Sequence, residues 1–149
     1  MDWHPHATVA VIVEMEGKFL LVEERSSGEI VFNQPAGHIE EGETFIEAAC
    51  RETLEESAWH VSPKYLTGFY VYKSGNNNTT YHRACFYAEA IKHEPERELD
   101  EGIIRAIWMT RDEIVAHTDK LRSPMVLKCI DDYLAGKQYP LDLIHEYSN

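Results

Sequence analysis

Residues 37–59 read Gly-His-Ile-Glu-Glu-Gly-Glu-Thr-Phe-Ile-Glu-Ala-Ala-Cys-Arg-Glu-Thr-Leu-Glu-Glu-Ser-Ala-Trp. Thr44 and Glu47 form a capping-box pattern, so a helix is expected to start after Thr44. Ile46, Ala49, Cys50 and Thr53 would supply its inward face, with small residues allowing close packing on a sheet. Glu47 stands four residues before Arg51, a spacing that favours pairing. On such a helix Glu52, Glu55 and Glu56 share one face. Glu52 and Glu56 repel by about 0.2–0.5 kcal/mol. Their place near the C-terminal end adds roughly 0.3–1 kcal/mol each through the helix dipole. A hard divalent cation with oxygen ligands turns that repulsion into coordination. The competing reading is a solvated acidic face, the usual fate of a charge run.

The register of Gly37, Glu43, Arg51, Glu52, Glu55 and Glu56 decides between the two readings. This stretch resembles the Nudix box, G-x5-E-x7-R-E-U-x-E-E-x-G-U, with U a bulky apolar residue. Thr53 departs from the first U, Ala58 stands where the last Gly belongs, and Trp59 fills the final U. Glycine after a helix supplies a left-handed cap, so Ala58 predicts a different helix end.

The resemblance implies an α/β/α sandwich with a mixed sheet, and a loop-helix that carries the metal site. It implies catalysis by Glu52, Glu55, Glu56 and Arg51. Glu55 and Glu56 would ligate Mg²⁺ (with Mn²⁺ as a substitute), and Glu52 would be a ligand or the general base. The Ala36 carbonyl would complete the metal shell. Glu43 and Arg51 would pair to hold the loop, with Gly37 as a structural member of the box. An extra acid from the loop at 95–102 is expected, among Glu98, Asp100 and Glu101, with Glu101 preferred.

Outside the box, Asn33-Gln34-Pro35-Ala36-Gly37-His38, Leu121-Arg122-Ser123-Pro124 and the tail Gly136–Leu141 resemble the phosphatase NudJ group of that family. Gly17-Lys18-Phe19-Leu20 joins them. That likeness implies release of orthophosphate from nucleoside tri- and diphosphates and from thiamine-pathway pyrophosphates. The alternatives are a Nudix pyrophosphatase acting on nucleoside diphosphate derivatives and a nucleotide-binding module without catalysis. Modules of the last kind tend to lose box glutamates, whereas this chain keeps them. Asn33, Gln34, His38 and Arg122 are candidate substrate contacts; Arg122 has the fork for a terminal phosphate. Tyr70, Tyr72, Tyr81 and Phe86 alternate along strands, where they either stack a base or fill the core.

The whole chain has 149 residues, a net charge of −12 and 44% hydrophobic residues. That fits one domain over 1–149 with a core of its own. The acidic balance excludes a nucleic-acid polymer, which is gripped by clustered Lys and Arg. It admits a small phosphorylated substrate bridged by Mg²⁺. No apolar run reaches membrane-span length. The N-terminus lacks a secretory layout, and Cys50, Cys85 and Cys129 lack C-x-x-C spacing. A reducing cytoplasm is the expected compartment.

Further elements follow from pattern. His6–Met15 and Lys18–Glu23 read as a hairpin turning at Glu16-Gly17. Ile30–Phe32 is a short strand, and 36–43 a glycine-punctuated loop. Strands over 65–72 and 79–91 flank the turn at 74–78, and another strand covers 103–109. Thr110 caps a short helix through Ala116. Ser123-Pro124 starts the last helix, with Pro124 in its first position and Gly136 after its end.

Overall fold

A computed structural model describes residues 2–75 and 77–148, so residue 76 of the 74–78 turn lies outside the described residues. The central strand is β1 (His6–Ile12). It pairs antiparallel with β5 (Ala36–His38) on one side and parallel with β7 (Thr80–His93) on the other. The long β6 (Trp59–Lys73) closes this mixed sheet, in the order β5-β1-β7-β6. In the second sheet β3 (Lys18–Ser26) pairs with β2 (Glu14–Met15), β4 (Glu29–Asn33) and β8 (Ile103–Met109), all antiparallel.

The expected hairpin survives only at its tip, where Glu14 and Met15 pair with Phe19 and Lys18 around Glu16 and Gly17, both at positive φ. Backbone groups of β1 are committed to β5 and β7 on its two edges, so β3 has no edge left to join and founds the other sheet. The expected loop at 36–43 likewise begins as a strand, because β1 offers it a free edge.

The alternation of β1 explains the layers. Val9, Val11 and Val13 face one core together with Ala48 and Ala49 of α1 (Phe45–Ser57). Ala10 and Ile12 face a second core with Val126, Cys129 and Ile130 of α3 (Met125–Leu134). A period of two with both faces apolar is the mark of a strand buried between layers. Helices therefore cover both faces of the mixed sheet, as expected of an α/β/α sandwich. Among the described residues no helix is long and apolar enough to cross a membrane.

The capping residues act as read. Thr44 and Glu47 exchange hydrogen bonds at the start of α1. Thr110 and Glu113 do the same for α2 (Arg111–Ala116). Each such cap contributes about 1 kcal/mol. Pro124 sits one residue earlier than expected, at the cap of α3, while the Met125 N–H donates to Ser123 Oγ at 3.1 Å. Gly136, at φ 82°, ends α3 with Lys137 N–H donating to the Asp132 carbonyl, a Schellman closure.

Ile46 is not inward: it is 37% exposed. The buried row is Ala49, Thr53 and Ser57, and four residues before Ala49 stands Phe45, which packs on the core in its place. Ala58 takes the left-handed conformation, φ 63°, that glycine would have taken. The helix thus ends as a glycine-capped helix would, against the expectation, at a strain of about 1–2 kcal/mol. The Ala58 N–H donates to the Leu54 carbonyl, and the Ala58 carbonyl accepts from Glu94 N–H, each at 2.9 Å.

Candidate active site

The row Ala48, Glu52, Glu56 on α1 runs from the buried core out to a cleft of about 750 Å³. Glu52 and Glu56 line that cleft with Ala36, Gly37 and His38 of β5; Glu55 does not. Glu56 Oε1 accepts the Ala36 N–H at 3.0 Å, which ties the end of the helix to β5. A Cβ on Gly37 would overlap the Glu52 carboxyl, so the strand comes this close only because residue 37 is glycine.

Arg51 spends every N–H it has on the box. Nε and Nη2 fork onto Glu43 at 2.6 and 3.0 Å. Nη1 reaches Glu52 at 2.8 Å and Glu55 at 3.0 Å, and Nη2 also reaches the His38 carbonyl at 3.1 Å. The expected Glu43–Arg51 clamp is present. The expected Glu47–Arg51 pair is not, because Glu47 is engaged in capping Thr44 and the Glu43 fork wins the guanidinium.

Burial raises the Glu52 carboxyl above its ordinary range; Arg51 opposes this, while Glu55 and Asp100 add to it. Glu56 is pushed up to about 9, first by burial, against the Ala36 N–H bond, with Glu52, Glu24 and Asp100 adding repulsion. Arg51 compensates Glu52 and Glu55, but among the described residues no cation compensates the buried Glu56, the condition a divalent metal relieves. Glu52, Glu55, Glu56 and the Ala36 carbonyl would together offer only oxygen donors, the hard chemistry that suits Mg²⁺ or Mn²⁺. Among the described residues no three acidic groups yet converge on one point. Glu52 and Glu55 are drawn to Arg51, and Glu56 to Ala36.

The remaining expected residues divide. Asn33 lines the cleft, its Oδ1 accepting the Gln34 N–H. Gln34 is buried behind it and holds Arg83, so it is a support and not a contact. His38 faces the cleft with Nε2 2.9 Å from His6 Nδ1, and burial, His6 and Arg122 lower its pKa. Arg122 is on the cleft wall, but its Nη1 is paired to Glu24 at 2.8 Å. Glu101 is exposed; the acid of its loop whose charge reaches Glu52 and Glu56 is Asp100. Tyr72 and Tyr81 line the cleft, whereas Phe86 is in the core and Tyr70 donates to Asp132 at 2.7 Å.

Glu24 and Arg83 had no sequence signal. Arg83 is a lone arginine on a strand that only the sheet register brings to the cleft, and Glu24, between Glu23 and Arg25, sits behind the wall, paired with Arg122. A second cavity, about 610 Å³ between β6, α3 and the C-terminal segment, contains no box residue.

The NUDIX domain family model matches residues 3–128. The chain belongs to the Nudix family. This Nudix hydrolase is 38% identical over 144 residues to the phosphatase NudJ of Escherichia coli strain K12, covering 97% of this chain and 93% of that one. A NUDIX hydrolase from Nitrosomonas europaea superposes with a TM-score of 0.93 at 46% identity, covering 97% of this chain and 98% of that one. A UDP-X diphosphatase shares the fold alone, at a TM-score of 0.74 and 16% identity, over 94% of this chain and 68% of that one. Hydrolases of this family act on small phosphorylated substrates with divalent metals.

Proposed function

We propose that this Nudix hydrolase is a Mg²⁺-dependent phosphatase that releases orthophosphate from nucleoside tri- and diphosphates and from thiamine-pathway pyrophosphates. The observation that carries it is the pair Glu52 and Glu56, brought beside Ala36 in a cleft whose wall also presents Arg83 and Arg122. Near-full-length likeness to a phosphatase NudJ supports the choice among the family's activities. Three free cysteines agree with a reducing, cytoplasmic setting.

In this reading Glu55, Glu56 and the Ala36 carbonyl hold the metal, and Glu52 is a further ligand or the base. Bound Mg²⁺ supplies charge neutralisation at phosphorus and acidifies water. The chain does the positioning. Gly37 lets β5 lie against the Glu52 carboxyl, and Arg51 keeps Glu52 and Glu55 on the same side of α1. Burial raises the proton affinity of Glu52, which suits it to take a proton from the attacking water. Arg122, held by Glu24, is a second-choice phosphate contact that must first leave its carboxylate.

The test is turnover of GDP against Mg²⁺ concentration in the native protein, Glu55→Gln and Glu56→Gln. Each variant is expected to lose roughly 10²-fold or more in kcat/KM, because losing a metal ligand forfeits several kcal/mol of transition-state charge stabilisation. Native-like turnover in either variant, or turnover in excess chelator, overturns the assignment.

A further inference from the structure

Cross-strand register lays one face of the mixed sheet out in rows, of which Ala36, His38, Thr8, Arg83, Tyr81 and Tyr72 line the cleft. Ala36, Ala10 and Cys85 form the row beside Glu56. Two residues further along each strand, His38, Thr8 and Arg83 form the next. Beyond that lie His6, Tyr81 and Tyr72, with the His6 and Tyr81 rings edge to face at 5.7 Å. From the first row to the third is four residues, roughly 13 Å at strand rise. Arg83 is therefore the cation between the carboxylate end and an aromatic end.

Its electrostatic state differs from that of the other arginines around the site. Arg51 has a partner for every N–H, and Arg122 is paired with Glu24. Arg83 has no carboxylate partner among the described residues. Its Nη1 donates to Gln34 Oε1 at 3.2 Å and the side chain lies against the Cys129 thiol. Its Nε, shut off from water, has no hydrogen-bond partner among the described residues. Leaving a buried N–H of a cation unpaired is costly. Gln34, itself buried and held through Asn33, fixes the guanidinium's direction. A cation oriented by neutral groups, on the wall of a cleft whose other arginine, Arg122, is already paired with Glu24, is arranged for an anion from outside.

Resting on the function proposed above, we infer that Arg83 binds the phosphate on the leaving-group side of the scissile bond, and that Tyr72, Tyr81 and His6 receive the ring of the group that carries it. The substrate class is then a phosphoanhydride borne on a planar aromatic moiety. Terminal phosphate lies at Glu52 and Glu56, and the retained phosphate at Arg83. Negative charge growing on the leaving oxygen falls next to this guanidinium.

GMP, the leaving group of GDP, is the probe. It is titrated calorimetrically into metal-free native protein, Arg83→Gln and Arg83→Lys, with guanosine as the phosphate-free control. Arg83→Gln is expected to weaken GMP binding roughly tenfold or more, as when a hydrogen bond to a charged group is lost. Arg83→Lys should recover part of it, and guanosine should bind all three alike. A measurement on the native protein alone guards against a variant that misfolds: GMP should raise its melting temperature more than guanosine does. Equal GMP affinity in native and Arg83→Gln proteins, or no difference between GMP and guanosine on the native protein, overturns the inference. Because no metal or turnover is involved, the outcome is independent of which product the enzyme releases.

Discussion

Gly37 and Glu52 share one small volume: the carboxyl of Glu52 fills the place where a side chain on residue 37 would stand. Gly37 is not at positive φ, so it is needed here for space and not for backbone freedom. Gly37→Ala must push Glu52 aside. A misplacement of ~1 Å costs about 10²-fold in rate, with about 1–3 kcal/mol of overpacking. Circular dichroism should show a folded protein with kcat depressed; native kcat would separate Glu52 from the chemistry.

Arg51 joins loop and helix through five donors, two of them forked on Glu43. Arg51→Ala leaves Glu43 and Glu52 without their cation. Because 21% of the Arg51 side chain is exposed, the expected loss is about 2–3 kcal/mol, below the ~3–5 kcal/mol of a fully buried pair. Lysine has no fork, so Arg51→Lys should recover less than half of that loss in a urea melt. Full recovery would reduce Arg51 to a point charge.

Glu56 makes the metal-free protein sensitive to pH. Its folded pKa is raised from an ordinary 4.5 to about 9. Between those values the folded state holds a proton that the unfolded chain has lost. Stability is therefore greatest below the lower value and falls as pH rises through the window. Glu56→Gln should flatten that fall and leave the metal-free variant more stable than the native protein at about pH 8. Mg²⁺ binding near neutral pH should release on the order of one proton. Calorimetry in buffers of different ionisation heat reads this, and a binding heat independent of buffer contradicts it.

Ala58 sets two effects against each other. Glycine would relieve about 1–2 kcal/mol of left-handed strain. It would lose about 0.8 kcal/mol of buried methyl and pay in unfolded-state entropy. Ala58→Gly should change stability by less than about 1 kcal/mol, with activity intact. A loss above about 2 kcal/mol would mean that the methyl packs in a way burial alone does not describe.

The box was legible because its parts are local. Spacing on one helix put Glu52 and Glu56 on one face, and Thr44 with Glu47 marked the start. The clamp of Glu43 on Arg51 came only through the family likeness. What could not be read depends on which strands become neighbours. Glu24 and Arg83 carry no spacing signal: Arg83 reaches the cleft only through the pairing of β1 with β7, and Glu24 acts there only through its pair with Arg122. Gln34 looked like a contact because it sits beside Asn33, yet in the link between β4 and β5 it is buried and accepts from Arg83. Among the expected acids of the 95–102 loop, Asp100 is the one whose charge acts on Glu52 and Glu56, and its N–H is anchored on the Glu55 carbonyl at 3.0 Å. The hairpin was over-read because nothing in residues 6–23 says that two other strands will claim β1.

The central claim is that this carboxylate cleft removes the terminal phosphate of its substrate. Phosphate release from GTP with Mg²⁺, with and without added inorganic pyrophosphatase, tests it most directly, with Glu56→Gln alongside. The account predicts orthophosphate from the native enzyme without the helper, and a rate lowered roughly 10²-fold or more in the variant, as expected for the loss of a metal ligand. Orthophosphate that appears only with the helper, or an undiminished rate in Glu56→Gln, would contradict it.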